Sequence, residues 1–599
     1  MNRAVDLLRR GQRVKVTIGP GTYRERVTVN LDADDPASEP LLMIEGSSVE
    51  PSIISGSVKQ GWEASTWQPV AGYPGVYAHE WTGGHTMYAG PWANNFGQVF
   101  EGTAARNESL WVGGRPLIAV SLDRYTWVDP DGPSGNIDGA GGVRDRNNQR
   151  GAFRYDGVDE SGLAVLDRSW TFAVSNHPEA PEAFRNKVFI RIPADMRLED
   201  VGPIEVAKPI GDHWFQGLIT FRRKNNLIVR DLTVTHAGGS FLANTVGFFG
   251  TRNVLVERVN VVGNAVSGIN FTPRTRRGED PIRPSRITVR DTVVRDNGMS
   301  GLGGSLRDSL IERSDFSFNN WRGFAAGWSG WHYAGVKNGS TNRTTFRDCT
   351  FVGNQAIGLW FDVHCSEILY ERCFAYANYG AGIFFELSGK NPEHGDDLAR
   401  HCVSAYNNDL GYKISNMRRS TVVDCLAVNN RRHQMVLMNN QNEAGREPSS
   451  AAEYEFLRME DNLIISQRPD GLAMGVANPQ LDRGQELMKA YDGSRNRYLI
   501  TDVGQPQFIT AGYRRVDFSG WTNDLRDLGA VSAETGSTVE IVSPIGSDRL
   551  DFYRDQPNLL TEWCEARGVA IPWDLIERFR ANPTWSDDRM EPFPTVDTR

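Results

Sequence analysis

Short apolar strands recur along the middle of the chain, and each of them ends at a charged position. Between residues 226 and 440 a β-branched strand reaches this position, a second short strand follows, and an Asn comes seven residues later, as from Glu257 to Asn264 and from Glu371 to Asn378. The period is 22 to 24 residues. Three short strands per turn without helical periodicity predict a parallel β-helix.

Seven coils fit this spacing, with their asparagines at Asn264, Asn297, Asn319, Asn354, Asn378, Asn407 and Asn430. Because Asn tolerates a left-handed backbone, we expect it to turn a sharp corner. Six coils carry a Gly four residues later, namely Gly268, Gly301, Gly323, Gly358, Gly382 and Gly411. Four coils carry a Cys two residues after the charged position, and these thiols should stack inward as small hydrophobes: Cys349, Cys373, Cys402 and Cys425.

The pattern predicts an all-β fold, a right-handed parallel β-helix with an inserted β-rich subdomain and a short helical C-terminal tail. Residues 1–56 should hold a helical cap (1–10) and the first coils. Residues 57–206 are rich in Trp, Gly and Pro and predict the insertion. Residues 207–500 should form the catalytic core, and residues 501–599 the last coils and the tail, with one or two helices within 557–582.

Composition narrows the classes of partner. With a net charge of −9 and a pI near 5.7, the chain has no general attraction for nucleic acid. No run of about 18 apolar residues occurs, so we expect a soluble protein without a membrane partner. Six cysteines without metal-binding spacing predict neither a disulfide scaffold nor a metal or cofactor site. A secreted or periplasmic location with a removed signal segment stays open, as does the oligomeric state.

Two acids occupy neighbouring places in one predicted column. The position four residues after each corner Gly holds Thr272, Ser305, Gly327, Asp362, Glu386 and Ser415. Equivalent residues of adjacent strands lie about 4.8 Å apart, which suits the carboxylate spacing of about 5 to 5.5 Å in retaining glycosidases. Two like charges this close raise the pKa of one member. The alternative is a pair of solvated acids, or acids paired with nearby Arg or Lys.

Longer coils should form the walls of a cleft around this pair. Insertions at 273–286, 328–343 and 388–400 are expected at the same edge of the column, and loops on a rigid scaffold often bind ligands. The candidates for stacking on sugar rings are Trp328, Trp331 and Tyr333. The candidates for bonding hydroxyls or a carboxylate are His332, Lys337, Arg322 and His364. Packing or a solvated loop explains each of them equally well. The acids at 396 and 397 lack the spacing of a calcium loop.

The motif GLWFDVHC, followed one coil later by GIFFELS, resembles motifs of right-handed parallel β-helix glycoside hydrolases. The nearest resemblance is to glycoside hydrolase family 120, the β-xylosidases, and family 141 shares similar motifs. Over residues 328–388 the resemblance implies that Asp362 is the nucleophile and Glu386 the acid/base. The implied function is retaining hydrolysis of a plant, algal or microbial oligosaccharide or polysaccharide.

Two other functions stay open at this point. Parallel β-helices also carry polysaccharide lyases and epimerases, in which Lys337 or an Arg would neutralise a uronate carboxylate and Ca²⁺ would assist. The acid column itself offers no clear basic residue, which counts against this reading. The third function is a non-catalytic carbohydrate-binding β-helix.

Overall fold

The computed structural model shows a right-handed parallel β-helix built from three long sheets. The structure describes residues 2–31, 38–58, 62–81, 92–93, 99–100, 109–128, 143–144, 150–158, 160–175, 179–207, 210, 216–239, 243–274, 281–322, 333–387, 396–439, 454–468, 471–478, 480–500, 507–542 and 550–584. The predicted fold class is confirmed.

From Asn342 to Thr510 each coil contributes one strand to each of the three sheets. Sheet 1 runs through Val14–Thr17, Leu42–Glu45, Leu227–Thr235, Arg252–Val262, Ser285–Arg290, Arg307–Glu312, Asn342–Arg347, Ser366–Glu371, Asp397–Arg400, Arg419–Val423, Phe456–Glu460, Tyr491–Ser494 and Ser532–Thr535, with Gly21–Tyr23, Ser52–Ser55 and Val293–Arg295 beside this path. Sheet 2 runs through Val27–Asn30, Gly217–Arg222, Asn244–Phe249, Ser267–Thr272, Leu302–Gly304, Ala334–Gly339, Ile357–Asp362, Ile383–Glu386, Leu410–Ser415, His433–Met438, Leu472–Ala477, Phe508–Thr510 and Arg514–Val516. Sheet 3 runs through Thr350–Val352, Phe374–Tyr376, Val403–Ala405, Leu426–Val428, Leu463–Ser466, Arg497–Ile500 and Thr538–Ile541.

The chain leaves the β-helix after its first strands and returns to it in register. Val27–Asn30 pairs in parallel with Gly217–Arg222, and Leu42–Glu45 pairs with Leu227–Thr235. The strands between are Ser57–Val58, Gln68–Pro69, Val76–Glu80, Trp92–Ala93, Val99–Phe100, Leu110–Val112, Arg115–Pro116, Ile118–Ser121, Asp123–Val128, Val143–Arg144, Arg150–Val158, Thr171–Ser175, Lys187–Arg191 and Ile204–Ala207. Most of the pairs among them are antiparallel, and Trp62, Trp67 and Trp81 belong to a separate apolar core.

A ladder of buried asparagines holds neighbouring coils together. Asn378 Nδ2 donates to Asn407 Oδ1 and to Phe351 O, both at 2.9 Å, and Asn378 Oδ1 accepts from Asn354 Nδ2 at 2.8 Å. Shared amide hydrogen bonds remove the cost of burying these polar groups. The rungs are the predicted residues Asn264, Asn297, Asn319, Asn354, Asn378, Asn407 and Asn430.

The backbone prediction for this corner is wrong, because the left-handed residue precedes the Asn. Positive φ occurs at Gly263, Asp296, Phe318, Gly353, Ala377, Tyr406 and Asn429. Side chains of very different kinds therefore occupy the left-handed position. The Asn is placed by its amide hydrogen bonds and not by its backbone tolerance.

The four predicted cysteines lie in the interior as free, fully buried thiols. Cys373 Sγ donates to Phe346 O at 3.5 Å, and the Cys402 amide donates to Cys425 Sγ at 3.4 Å. Asn462 continues this column, since its Oδ1 accepts from the Cys425 amide at 3.0 Å. The prediction of an inward stack is confirmed.

The charged positions of sheet 1 form two columns of alternating sign on its outer face. In the first column Arg290 Nε donates to Glu257 Oε1 at 2.6 Å. In the second column, one residue further along each coil, Arg313 Nε donates to Asp291 Oδ1 at 2.8 Å. The first column is Glu45, Arg230, Glu257, Arg290, Glu312, Arg347, Glu371 and Arg400; the second is Asp231, Arg258, Asp291, Arg313, Asp348 and Arg372. Glu257, Glu312 and Glu371 are buried while their arginines are partly exposed, and the alternation of sign favours one register of neighbouring coils.

Helices cover parts of the β-helix. Asn2–Arg9 buries Leu8 against the first coils, as the predicted cap requires. Leu559–Ala566 and Trp573–Ala581 pack Trp563 and Ile576 on the outer face of sheet 3. The remaining helical segments are Leu198–Val201, Leu481–Lys489 and Phe518–Leu528, with short 3₁₀ turns at Ala64–Thr66, Gly162–Val165 and Ala511–Tyr513. In the described ranges no helix has the length and apolar character needed to cross a bilayer.

Candidate active site

The register of sheet 2 brings Asp362 and Glu386 to the same strand position on adjacent coils. Phe361 pairs with Phe385, so the next residue of each strand is one of the two acids. Glu386 in turn pairs with Ser415. Adjacent positions lie about 4.8 Å apart, which keeps the two acids within reach of one glycosidic bond.

The predicted column is correct except at its third place. Asp362 pairs with Gly339, not with Gly327, because the third coil enters sheet 2 through Ala334–Gly339. Its corner glycine is Gly335, where an added Cβ would lie 2.6 Å from Gly358 O. The equal spacing assumed from the sequence fails here because the chain lengthens before this strand.

Lys337 is the direct partner of Asp362. Its Nζ donates to Asp362 Oδ2 at 2.8 Å, and it lies 2.8 Å from the centroid of the Trp360 ring. The side chains of Lys337 and Asp362 are only 8% and 14% exposed. Burial is the largest influence on Lys337 and lowers its pKa, while Asp362 and Glu386 act in the opposite direction. Asp362 Oδ1 also accepts from the Val363 amide at 2.7 Å.

Glu386 has a different set of neighbours. Trp360 Nε1 donates to Glu386 Oε2 at 2.9 Å, and Glu386 is 7% exposed. The rings of Trp360 and Phe384 stack at 5.3 Å on the outer face of sheet 2. Lys413 lies on the far side, with Nζ 3.8 Å from the centroid of the Phe384 ring. The two acids therefore face distinct donors, which is how two carboxyl groups come to have different roles.

A β-bulge follows Asp362. Val363 and His364 both have positive φ, at 29° and 61°, where the preceding coil has Ser340 at 51°. The pairing passes from Gly339 with Asp362 to Asn342 with Ser366, which leaves one extra residue on the strand of Asp362, and the Ser340 amide donates to Val363 O at 2.7 Å. A left-handed Val is strained, and such strain is common beside functional groups.

The predicted cleft walls lie largely outside the described residues. The segment 273–286 begins after the strand Ser267–Thr272 and 388–400 after Ile383–Glu386, but 275–280 and 388–395 are among the residues that the structure does not describe, so these two walls stay predictions. The segment 328–343 is not such a loop, because it contains Ala334–Gly339 and the start of Asn342–Arg347. Its extra residues precede the sheet 2 strand.

The other predicted site residues have different outcomes. Trp328, Trp331 and His332 lie outside the described residues. Tyr333 is 3% exposed, which leaves no ring face for a sugar, and burial raises its pKa. Arg322 donates to Ala265 O at 3.0 Å and Gly239 O at 3.3 Å.

His364 is exposed, but the bulge breaks the alternation that we used to place its side chain. Of the predicted binding residues in the described part of the chain, only Lys337 has a recorded contact with an acid of the pair.

Sequence reasoning missed Trp360 and Lys413, and it placed Ser415 in the acid column without giving it a part in the site. All three side chains are on the outer face of sheet 2, because Phe361, which follows Trp360, and Ile414, which separates Lys413 from Ser415, belong to the central core. The signal was available in the two-residue alternation of WFD and KIS, which puts Trp360 beside Asp362 and Lys413 beside Ser415.

Comparisons with known proteins agree with this fold. The sequence family described as right handed beta helix region matches residues 244–398, which include both acids. No curated protein matches the chain by sequence.

Three solved structures are similar at low identity. One described as the complex structure of XylC with xylose is 13% identical, covers 81% of this chain and 78% of its own, and has a TM-score of 0.47. One described as a glycoside hydrolase is 10% identical, with coverage of 94% and 95% and a TM-score of 0.40. The mannuronan C-5 epimerase AlgE4 A-module of Azotobacter vinelandii is 15% identical, with coverage of 55% and 76% and a TM-score of 0.32.

Proposed function

We propose that this protein is a retaining glycoside hydrolase with Asp362 and Glu386 as its catalytic pair. The observation that carries the proposal is their adjacent register with separate hydrogen-bond partners. The sequence motifs around them support a β-xylosidase-like activity on a plant, algal or microbial oligosaccharide or polysaccharide.

In the first step Asp362 attacks the anomeric carbon, and the glycosidic C–O bond breaks. Lys337 and the Val363 amide orient the Asp362 carboxylate, since each donates to one of its oxygens. Glu386 gives its proton to the leaving oxygen, so the products are a glycosyl ester on Asp362 and a free alcohol.

In the second step water attacks the anomeric carbon and releases Asp362. Glu386, now ionised, takes the proton of the water. The indole of Trp360 keeps the Glu386 carboxyl fixed in both steps, since its N–H donates to Oε2. Two inversions at one carbon leave the sugar with its original anomeric configuration.

The test is product analysis by NMR on a panel of aryl glycosides and plant and algal oligosaccharides. We expect the wild type to release a sugar of retained configuration, and Glu386→Gln to lose release from substrates with poor leaving groups. Glu371→Gln is the matched control, since Glu371 lies in the first charged column of sheet 1. An inverted product, or full activity in Glu386→Gln, would contradict the proposal.

The two lysines favour a second candidate, a lyase or epimerase acting on uronates. Lys337 and Lys413 lie two residues before Gly339 and Ser415 of the acid column, which supplies the basic groups that the column itself lacks. One lysine would neutralise the uronate carboxylate while another group takes the proton at C5. The same panel separates the two reactions, because a lyase forms an unsaturated uronate and an epimerase releases no sugar.

A further inference from the structure

Lys413 and Ser415 lie on one face of the strand Leu410–Ser415, directly beside Glu386. Phe384 pairs with Lys413 and Glu386 pairs with Ser415. Ile414 between them belongs to the central core, so both neighbours face outward, as Glu386 does.

The two lysines beside the acid pair, Lys337 and Lys413, differ in whether they have a hydrogen-bonded anion. Lys337 is bonded to Asp362. Lys413 makes a contact with the Phe384 ring, but no hydrogen bond or ion pair with any residue in the described part of the chain. Glu386, Asp409 and Asp362 are close enough to influence its charge without binding it, and burial lowers its pKa.

Ser415 adds a second unused donor. It is fully buried, and its Oγ has no hydrogen-bond partner within the described ranges. A buried hydroxyl without a partner destabilises the fold, and a partly buried ammonium without an anion does so more strongly. Both effects are reduced when an oxyanion accepts hydrogen bonds from the two groups.

We propose that Lys413 and Ser415 form an anion subsite, and that the sugar bound next to Glu386 carries a carboxylate or a sulfate ester. The hydrolysis of the bound sugar rests on the proposed function, whereas the binding of its anionic group to Lys413 and Ser415 does not. The two sources of the charge share the same chemistry, an oxyanion that accepts from an ammonium and a hydroxyl.

The first test compares 4-nitrophenyl hexosides with their hexuronide and 6-sulfate counterparts. We expect the wild type to favour one acidic member, and Lys413→Met to reduce the ratio of acidic to neutral kcat/KM at least tenfold through KM. Lys413→Arg should restore part of the ratio, and Lys15→Met, an exposed residue paired with Glu45, should leave it unchanged. The preferred member tells a carboxylate from a sulfate.

Equal loss on neutral and acidic members, with a shifted pH profile, would overturn the subsite and make Lys413 a positioning residue for Glu386. A second measurement is independent of turnover: calorimetric titration of Glu386→Gln with hexuronate and sulfated oligosaccharides, with and without Lys413→Met. Binding that depends on Lys413 without hydrolysis by the wild type would refute the hydrolase and keep the subsite. Absence of such binding would refute the subsite alone.

Discussion

The outer faces of sheets 1 and 2 differ in the order of their charged side chains. On sheet 1 acids and bases alternate from coil to coil, so Glu312 lies between Arg290 and Arg347 in register. On sheet 2 Asp362 and Glu386 follow each other directly in one column. Two unit charges about 5 Å apart repel by about 3 kcal/mol at an effective dielectric constant of 20.

The difference distinguishes a surface of paired charges from the proposed active site. In the columns of sheet 1 each charge has an opposite charge beside it. On sheet 2 the bases are displaced by two residues, so Lys337 reaches Asp362 from the side and Lys413 keeps an unbonded ammonium. Charge placed against stability in this way is expected at functional sites.

The largest effect on activity should come from comparing an acid of the sheet 2 pair with an acid of the sheet 1 columns, each replaced by its amide. We predict that Asp362→Asn lowers kcat/KM at least about a thousandfold, because the nucleophile is lost. Asp291→Asn, in the second column of sheet 1, should leave kcat/KM within about twofold. Both values are measured on the best substrate of the panel. Similar losses in the two variants would remove the distinction between the sheets.

The ion pair of the site should be worth more than a pair on sheet 1. Lys337→Met removes the one cation that bonds Asp362 in the described part of the chain, and Asp362 is only 14% exposed, so we predict a loss of about 3 kcal/mol in the free energy of unfolding. Adding Asp362→Asn should recover part of this loss, because no unpaired charge remains. Urea denaturation of the two single variants and the double variant gives the coupling. If the losses in unfolding free energy of the two single variants simply add in the double variant, the pairing of Lys337 with Asp362 is contradicted.

Asp397 shows what happens to an acid of sheet 1 without a base. It is 2% exposed, one carboxyl oxygen has no partner among the described residues, and burial raises its pKa to about 7. The folded state therefore holds a proton that the unfolded state has lost. Stability should fall by about 2 kcal/mol between about pH 5 and about pH 7, and Asp397→Asn should abolish this contribution. Equal pH slopes for both proteins in denaturation experiments would contradict it.

The smallest effect should come from reversing one sign on sheet 1. Arg347→Glu creates three successive acids with Glu312 and Glu371, as close as the pair of sheet 2. Because position 347 is partly exposed, and Glu312 and Glu371 keep their pairs with Arg313 and Arg400, we predict a loss of only about 1 kcal/mol in unfolding free energy, reduced by added salt. Thermal or urea denaturation at low and high salt measures it. A loss that salt does not change would argue against repulsion as the cause.

Much of the fold could be predicted from the sequence because its repeat is local. The seven-residue step from charged position to Asn is kept by the ladder hydrogen bonds, and the cysteines follow from the same count. The exception is the third coil, where the chain lengthens before its strand and Gly327 was taken for Gly339. Spacing alone does not tell on which side of a strand an insertion lies.

The candidate site was predicted less completely than the fold. Asp362 and Glu386 follow from the column count, but Lys413 belongs to a neighbouring row that the count did not follow. The bulge at Val363 and His364 depends on positive φ angles that neither residue type predicts. The contact of Arg322 with two carbonyls joins coils distant in sequence, so only the structure reveals it.

The central claim is that Asp362 forms a covalent bond with the sugar. The most direct measurement is mass spectrometry of peptides after reaction with a 2-deoxy-2-fluoro glycosyl fluoride of the sugar that the panel identifies, since the fluorine slows release of the ester. We predict an adduct on the peptide that contains Asp362, and none in Asp362→Asn. An adduct on another residue, or inactivation of Asp362→Asn at the wild-type rate, would contradict the account.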